Sequence, residues 1–299
     1  MRIDVVEEVR QGKAHFEWKD ILREHKGHRL YVPVLRDAMK FDNVPAMTWD
    51  WKPTTTWDPA KKQLVPDERT MDGVRLPGSP RQLQEIGDLI GGMLMVPLVI
   101  EEIWLQADIK FTAVVNTANR HPGIKGRVIV ANSDYFILHQ AIEEQIAKLG
   151  GDDGNGLISC VGKYWCLVND LLNGRKAPAT QLDCACNFGW FHPGSGQSVS
   201  GRCKRYQGPG FHHDYNHWDP SQTIRLMHQW GRLFRAGSDV EEHVFLPDIC
   251  VDKELCGLLN YTNKPLTYLR QIHPGPKLEM MGTITLPEVT ITASPDDLA

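Results

Sequence analysis

The sequence predicts an α+β protein, with a helical N-terminal half and a strand-and-loop C-terminal half in one compact unit. Two observations carry this. Before residue 150, apolar residues recur at helical spacing behind recognisable helix starts. After it, short runs rich in aromatic and small residues alternate with Gly- and Pro-rich stretches. The division falls near Gly150-Gly-Asp-Asp-Gly-Asn-Gly156. It separates a helix-rich lobe (1–150) from a strand-and-loop lobe (151–280) and a tail (281–299).

Residues 1–45 mix charged turns with short strand-like runs such as Arg29-Leu-Tyr-Val-Pro-Val-Leu35. Residues 46–78, rich in Trp, Thr, Pro and Asp, read as an irregular surface segment. The clearest helix starts at Ser79. Ser79 is the N-cap, Pro80 takes the first position where its missing N–H costs nothing, and Gln82 completes a capping box. Leu83, Ile86, Leu89 and Ile90 then line one face, and Gly91-Gly92 ends the helix. A second helix follows Pro97, with Val99, Ile103 and Ala107 on one side. A third runs from Asn132 or Ser133 to Gly150-Gly151, with Leu138, Ala141, Ile142, Ile146 and Leu149 as its stripe.

Leu157–Val168 reads as one or two strands and Cys184–Trp190 as another. Residues 193–210, with seven Gly or Pro, read as a long loop. The segment Leu286–Ala293 is an edge strand or an appendage.

Composition removes several classes. The chain has 33 Lys+Arg against 37 Asp+Glu, a formal net charge of −4, so no general attraction to nucleic acid or anionic lipid arises. The longest apolar run, Leu89–Ile100, is interrupted by Gly91, Gly92 and Pro97 and is too short for a span of about 20 residues. Met1–Arg10 has no apolar core, so no signal peptide is expected and synthesis is expected in the cytoplasm. Seven Cys without a secretory signal suit reduced thiols better than a disulfide framework.

The composition contains 12 His, and four of them lie between His192 and His217. In Phe211-His-His-Asp-Tyr-Asn-His-Trp-Asp219, imidazoles and carboxylates crowd together after a Gly/Pro-rich stretch. Two chemistries use that mixture. Neutral imidazole and carboxylate ligate Zn, with His192, His213, His217 and Asp219 as the candidate ligands. A His oriented by an Asp is also a general acid/base unit. In that case His213, Asp219, His192 and Lys163 are the candidate catalytic residues. Lys163 stands in the aromatic run Gly162-Lys-Tyr-Trp165, where it points into a site or snorkels to water. A structural reading competes: Asp219-Pro220-Ser221-Gln222 has the form of a capped helix start, which would leave Asp219 as an N-cap. His213 and His217, four apart, share a face only if their segment is helical. Cys184, Cys186 and Cys203 form a weaker group whose spacing is not that of a zinc finger.

The blocks Gly162-Lys163-x-Trp165, Asn187-Phe-Gly-Trp190-x-His192 and His213-x3-His217-x-Asp219-x-Ser221-Gln222 resemble a family of proteins from bacteria, phages and prophages. In that family the blocks run roughly as G-K-x-W-V, N-Y-G-W-H and H-x5-D-Y-S-[QH]. The chain departs from them by inserting Phe191 and by placing Pro220 where the family has Tyr. The resemblance brings no established activity. It implies the neighbourhood of phage cell-wall and lysis functions. The expectation that follows is a hydrolase of peptidoglycan, its water activated by a His/Asp pair directly or through bound Zn. The bacterial cell wall or phage and host proteins would be its partners, and association with the virion or release at lysis its place of action. The alternative is a non-catalytic phage structural or wall-binding protein that uses Thr48-Trp-Asp-Trp-Lys52, Trp57 and the His/Trp loop as a binding face for another protein or a glycan.

Overall fold

A six-stranded antiparallel sheet is built around the strand His28–Leu35. It belongs to a computed structural model that describes residues 3–46, 55–111, 135–159, 161–167, 184–192, 201–214, 216–217, 221–260 and 264–266. Leu30, Val32 and Val34 alternate along this strand and are completely buried. On one edge it pairs with Trp18–His25 through the two-residue turn Lys26-Gly27, whose φ values are 50° and 81°. Positive φ at both turn residues matches the right-handed twist of the flanking strands, and Gly supplies one of them without steric cost. The other edge takes Met227–His228 and Trp230–Phe234, distant in sequence, and the latter pairs onward with Glu241–Phe245. Gly92–Met93 adds to Met227–His228. A parallel pair, Ile109–Lys110 with Ile158–Ser159, also spans residue 150.

The helix Pro80–Ile90 starts as its sequence requires. The Ser79 side chain accepts from the Gln82 N–H, and the Gln82 side chain accepts from the Ser79 N–H. Gly91 closes it in the left-handed conformation, φ 72°. The helix Pro97–Gln106 is buried on nearly every side, including Glu101 and Glu102. Glu102 is held by Arg23 and Arg202, and Arg23 also donates to the Leu258 carbonyl at 2.9 Å. A third helix covers Tyr135–Lys148.

The balance of elements overturns the expected α+β class with a helical N-terminal half. Of the described residues 25% are helical and 37% lie in strands, in several antiparallel sheets with five short helices. Eleven strands precede residue 112. The reason is tertiary. Trp18-Lys-Asp-Ile-Leu-Arg-Glu-His25 consists largely of good helix formers, yet it gains a full ladder of partners on His28–Leu35 and buries Ile21 and Arg23 on one face. Within 46–78, expected to be irregular, Thr55–Asp58 and Gln63–Pro66 form a hairpin.

Two local expectations also fail. The long loop 193–210 gives way to strand Lys204–Asp214 at its end, because the small Gly210 fits opposite Asn187 on a neighbouring bulged strand. No helix starts at Ser221. Gln222 bridges to Lys163 and Thr223 to Pro77, and Asp219 and Pro220 of the expected helix start lie outside the described residues.

Candidate functional site

The site is assembled on a three-stranded antiparallel sheet of Lys163–Cys166, Cys184–His192 and Lys204–Asp214, in that order. Its register places Trp165 opposite Asn187, Asn187 opposite Gly210, and Ala185 opposite His213. Cross-strand partners share a face. Lys163, two residues before Trp165, shares it too.

Each residue of Gly162-Lys-Tyr-Trp165 has a separate structural reason. A Cβ at Gly162 would stand 2.6 Å from Thr223 Oγ1 and 2.9 Å from the Ser221 carbonyl oxygen, so only Gly allows that approach. The approach lets the Lys163 N–H donate to the Ser221 carbonyl at 2.6 Å. Tyr164 faces the other way, and its hydroxyl accepts from Arg225 at 3.3 Å. Arg225, itself completely buried, also donates to the carbonyls of Leu35, Ile158 and Arg36 at 2.6 to 2.8 Å. Trp165 is completely buried, and its indole N–H donates to the Gly78 carbonyl at 2.8 Å.

Against the Trp165 indole rest two imidazoles. His213 lies 6.1 Å and His217 6.4 Å from it, centroid to centroid, both edge-on. The two imidazoles are stacked on one another, 3.7 Å apart and 7° from parallel. His213 stands one residue before the end of strand Lys204–Asp214 and His217 lies beyond it, so no helical face brings them together. Both are half-buried. Lys163 is 7% exposed, and its Nζ sits 5.4 Å from the ring centroid of Trp190. Gly189 and Trp190 both have positive φ, 139° and 58°, next to a register shift in the sheet. The left-handed backbone at Trp190 is uncommon for a residue with a bulky side chain.

Of the five residues expected at the site, His213 and His217 meet against Trp165, while Lys163 stands on the same sheet opposite Gly189, four residues along the strand from Ala185, with its Nζ on Trp190. The backbone of His192 pairs with Lys204, seven residues along the strand from Ala185, the partner of His213. That is roughly 20 Å of strand. Asp219 lies outside the described residues.

Among the described residues no three His, Cys, Asp or Glu side chains are grouped to hold a metal. The stack itself fits Zn poorly. Ring-nitrogen lone pairs lie in the ring planes, and parallel planes 3.7 Å apart cannot aim two of them at one ion about 2.0–2.1 Å from each. Among the described residues, the thiols of Cys166, Cys186 and Cys203 are packing groups. Cys166 and Cys186 face each other in the sheet, and Cys186 and Cys203 are buried. Burial pushes the Cys166 thiol well above its ordinary value, so it stays protonated and unreactive.

Sequence reasoning missed the residues that hold the site in place. Trp165 backs both imidazoles, and Arg225 ties the segment after the His cluster to the main sheet. The signal for Arg225 was a cationic residue flanked by Ile224 and Leu226 in an apolar stretch, which implies carbonyl partners once buried. Compared with family models, curated proteins and solved structures, the chain matches none.

Proposed function

We propose that the chain is a hydrolase of the bacterial cell wall whose working groups are the His213–His217 stack and Lys163. One observation supports the reading above the others: two half-buried imidazoles stack 3.7 Å apart against the buried Trp165, on the sheet that also carries the nearly buried Lys163. One ring takes a proton from water as the oxygen attacks the carbonyl of a peptide cross-link. The Lys163 ammonium offsets the charge that develops on the carbonyl oxygen. The second ring gives a proton to the departing amine, and proton exchange restores the pair. Asp219 is assigned the orienting carboxylate. The stacked arrangement favours water activated directly over water bound to Zn. Peptidoglycan as substrate is supported by the resemblance of the sequence blocks alone.

The test is incubation with purified murein sacculi, with and without chelator, and mass spectrometry of released fragments. Release is expected to survive the chelator and to fall roughly 10²–10⁴-fold in His213→Ala and His217→Ala. No release from the wild type would sink the hydrolase, and full activity of His213→Ala would sink the site. Loss of activity with chelator would overturn the metal-free route.

A second reading has its own observation. Trp57 and Leu64, opposite each other on the hairpin, are 58% and 64% exposed. Such a pair suits a wall-binding or phage structural protein that acts without catalysis. That reading predicts retention on sacculi or on phage structural proteins, reduced in Trp57→Ala and indifferent to His213→Ala.

A further inference from the structure

A cleft of about 590 Å³ lies elsewhere on the fold, between the end of helix Val5–Arg10, the chain from Ala14 to Glu17, and the last turn of helix Pro80–Ile90. None of the residues of the His site lines it. Its size falls in the range of small-molecule sites, about 300–1,000 Å³.

The lining has two characters. Val9, Phe16, Leu89 and Ile90 give it apolar walls. Leu89 is 39% exposed and Ile90 partly exposed at the end of a helix whose Leu83 and Ile86 are completely buried, so water meets apolar surface there. The charged groups are three cationic side chains, Arg10, Arg36 and Lys40, against two carboxylates, Glu17 and Asp37. Both carboxylates are engaged. Asp37 is buried and accepts from Arg75, and Glu17 stands 3.0 Å from Arg36 Nε. Arg36 is further held by Asp152 through two hydrogen bonds of 2.7 and 2.8 Å. Arg10 is the least committed of the cations. Its side chain is 52% exposed, and its ion pair is a 3.6 Å approach to Glu7, itself 46% exposed. The cleft thus offers apolar walls, satisfied carboxylates and an available guanidinium.

We propose that this cleft binds a small amphipathic anion, an aryl or medium-chain alkyl carboxylate or sulfonate, with its apolar body against Leu89, Ile90 and Phe16 and its charge toward Arg10. The inference is independent of the hydrolase reading, since no residue is shared.

The test uses the full chain and 8-anilinonaphthalene-1-sulfonate as the probe. Its fluorescence should rise with one site per chain, and decanoate should displace it while decanol does so far less. Arg10→Glu and Leu89→Glu change exposed side chains and should leave the near-UV circular dichroism intact. Arg10→Glu is expected to weaken binding roughly fivefold. Leu89→Glu should weaken it at least as much, and His213→Ala should leave it unchanged. Absence of saturable binding, equal displacement by decanol, or unchanged affinity in both Glu variants would overturn the proposal.

Discussion

The indole N–H of Trp165 donates to the carbonyl oxygen of Gly78, 87 residues earlier in the chain. Gly78 precedes Ser79, the cap of helix Pro80–Ile90. The ring that backs the two imidazoles is therefore fixed to a helix start, and the geometry of the site depends on a bond far from it in sequence.

Trp165→Phe tests that dependence. The aromatic volume largely remains, but the buried Gly78 carbonyl loses its indole donor. The expected cost is about 1–3 kcal/mol, read from urea denaturation followed by circular dichroism. Under the hydrolase reading, activity should fall further than stability does, because both imidazoles lose a fixed support.

Gly162→Ala introduces a methyl group where 2.6 Å separates the new Cβ from Thr223 Oγ1. Segment 221–223 must move, and the Lys163 N–H to Ser221 bond must lengthen. Overpacking of this kind costs about 1–3 kcal/mol. A thermal midpoint equal to that of the wild type would show that the segment yields freely.

Arg225→Met removes the donor to three backbone carbonyls in the interior. The Arg36 carbonyl keeps the Ile158 N–H as a donor, whereas those of Leu35 and Ile158 are left unpaired at roughly 1–3 kcal/mol each. The sum is a large part of the stability of an ordinary domain, so a reduced folded fraction is expected on gel filtration. Arg225→Lys keeps the charge but can serve fewer acceptors, and should fall between.

Acid should weaken the fold in two stages. His139 is held down to about 4 from 6.5, first by burial and then by the Arg75 charge. The folded ring therefore prefers to be neutral, and the unfolded chain takes up the proton first. Stability is complete above pH 6.5 and is lost as pH falls from 6.5 to about 4. Asp37 behaves differently. Burial alone would raise its carboxyl, but Arg75 overrules this and holds it well below the usual carboxylate range. Its contribution survives the first stage and declines only below pH 3.8. Thermal midpoints measured across this range should show both stages, and His139→Asn should shrink the first, to which His228 and His25, also lowered by burial, contribute, while leaving the second.

The start and stop of helix Pro80–Ile90 were readable because a capping box and a terminal Gly are local devices. The strand Lys163–Cys166 was readable from its aromatic run. Trp18–His25 was not, since its Lys, Leu, Arg and Glu favour a helix until His28–Leu35 supplies partners. Lys204–Asp214 was hidden for a related reason: Gly208-Pro-Gly210 normally marks a turn, and its place in a sheet depends on the neighbouring bulge. At the site, clustering in sequence pointed to His213 and His217. Their stacking could not be read, because it depends on the chain beyond Asp214 and on Trp165. Spacing along the chain likewise could not show that His192 and His213 stand toward opposite ends of adjoining strands.

The pairing of His28–Leu35 with Trp230–Phe234 has a consequence for how the chain is made. A ribosome has released the first hairpin long before it polymerises the strand that seals its free edge. Through about 200 residues of elongation, the nascent hairpin presents an open backbone edge and one apolar face to its surroundings. Completion of the sheet must wait for the far end of the chain, so folding is governed by non-local closure and should be slow. Fragments that stop before residue 230 should aggregate or be held by chaperones, even though they contain every helix up to Lys148.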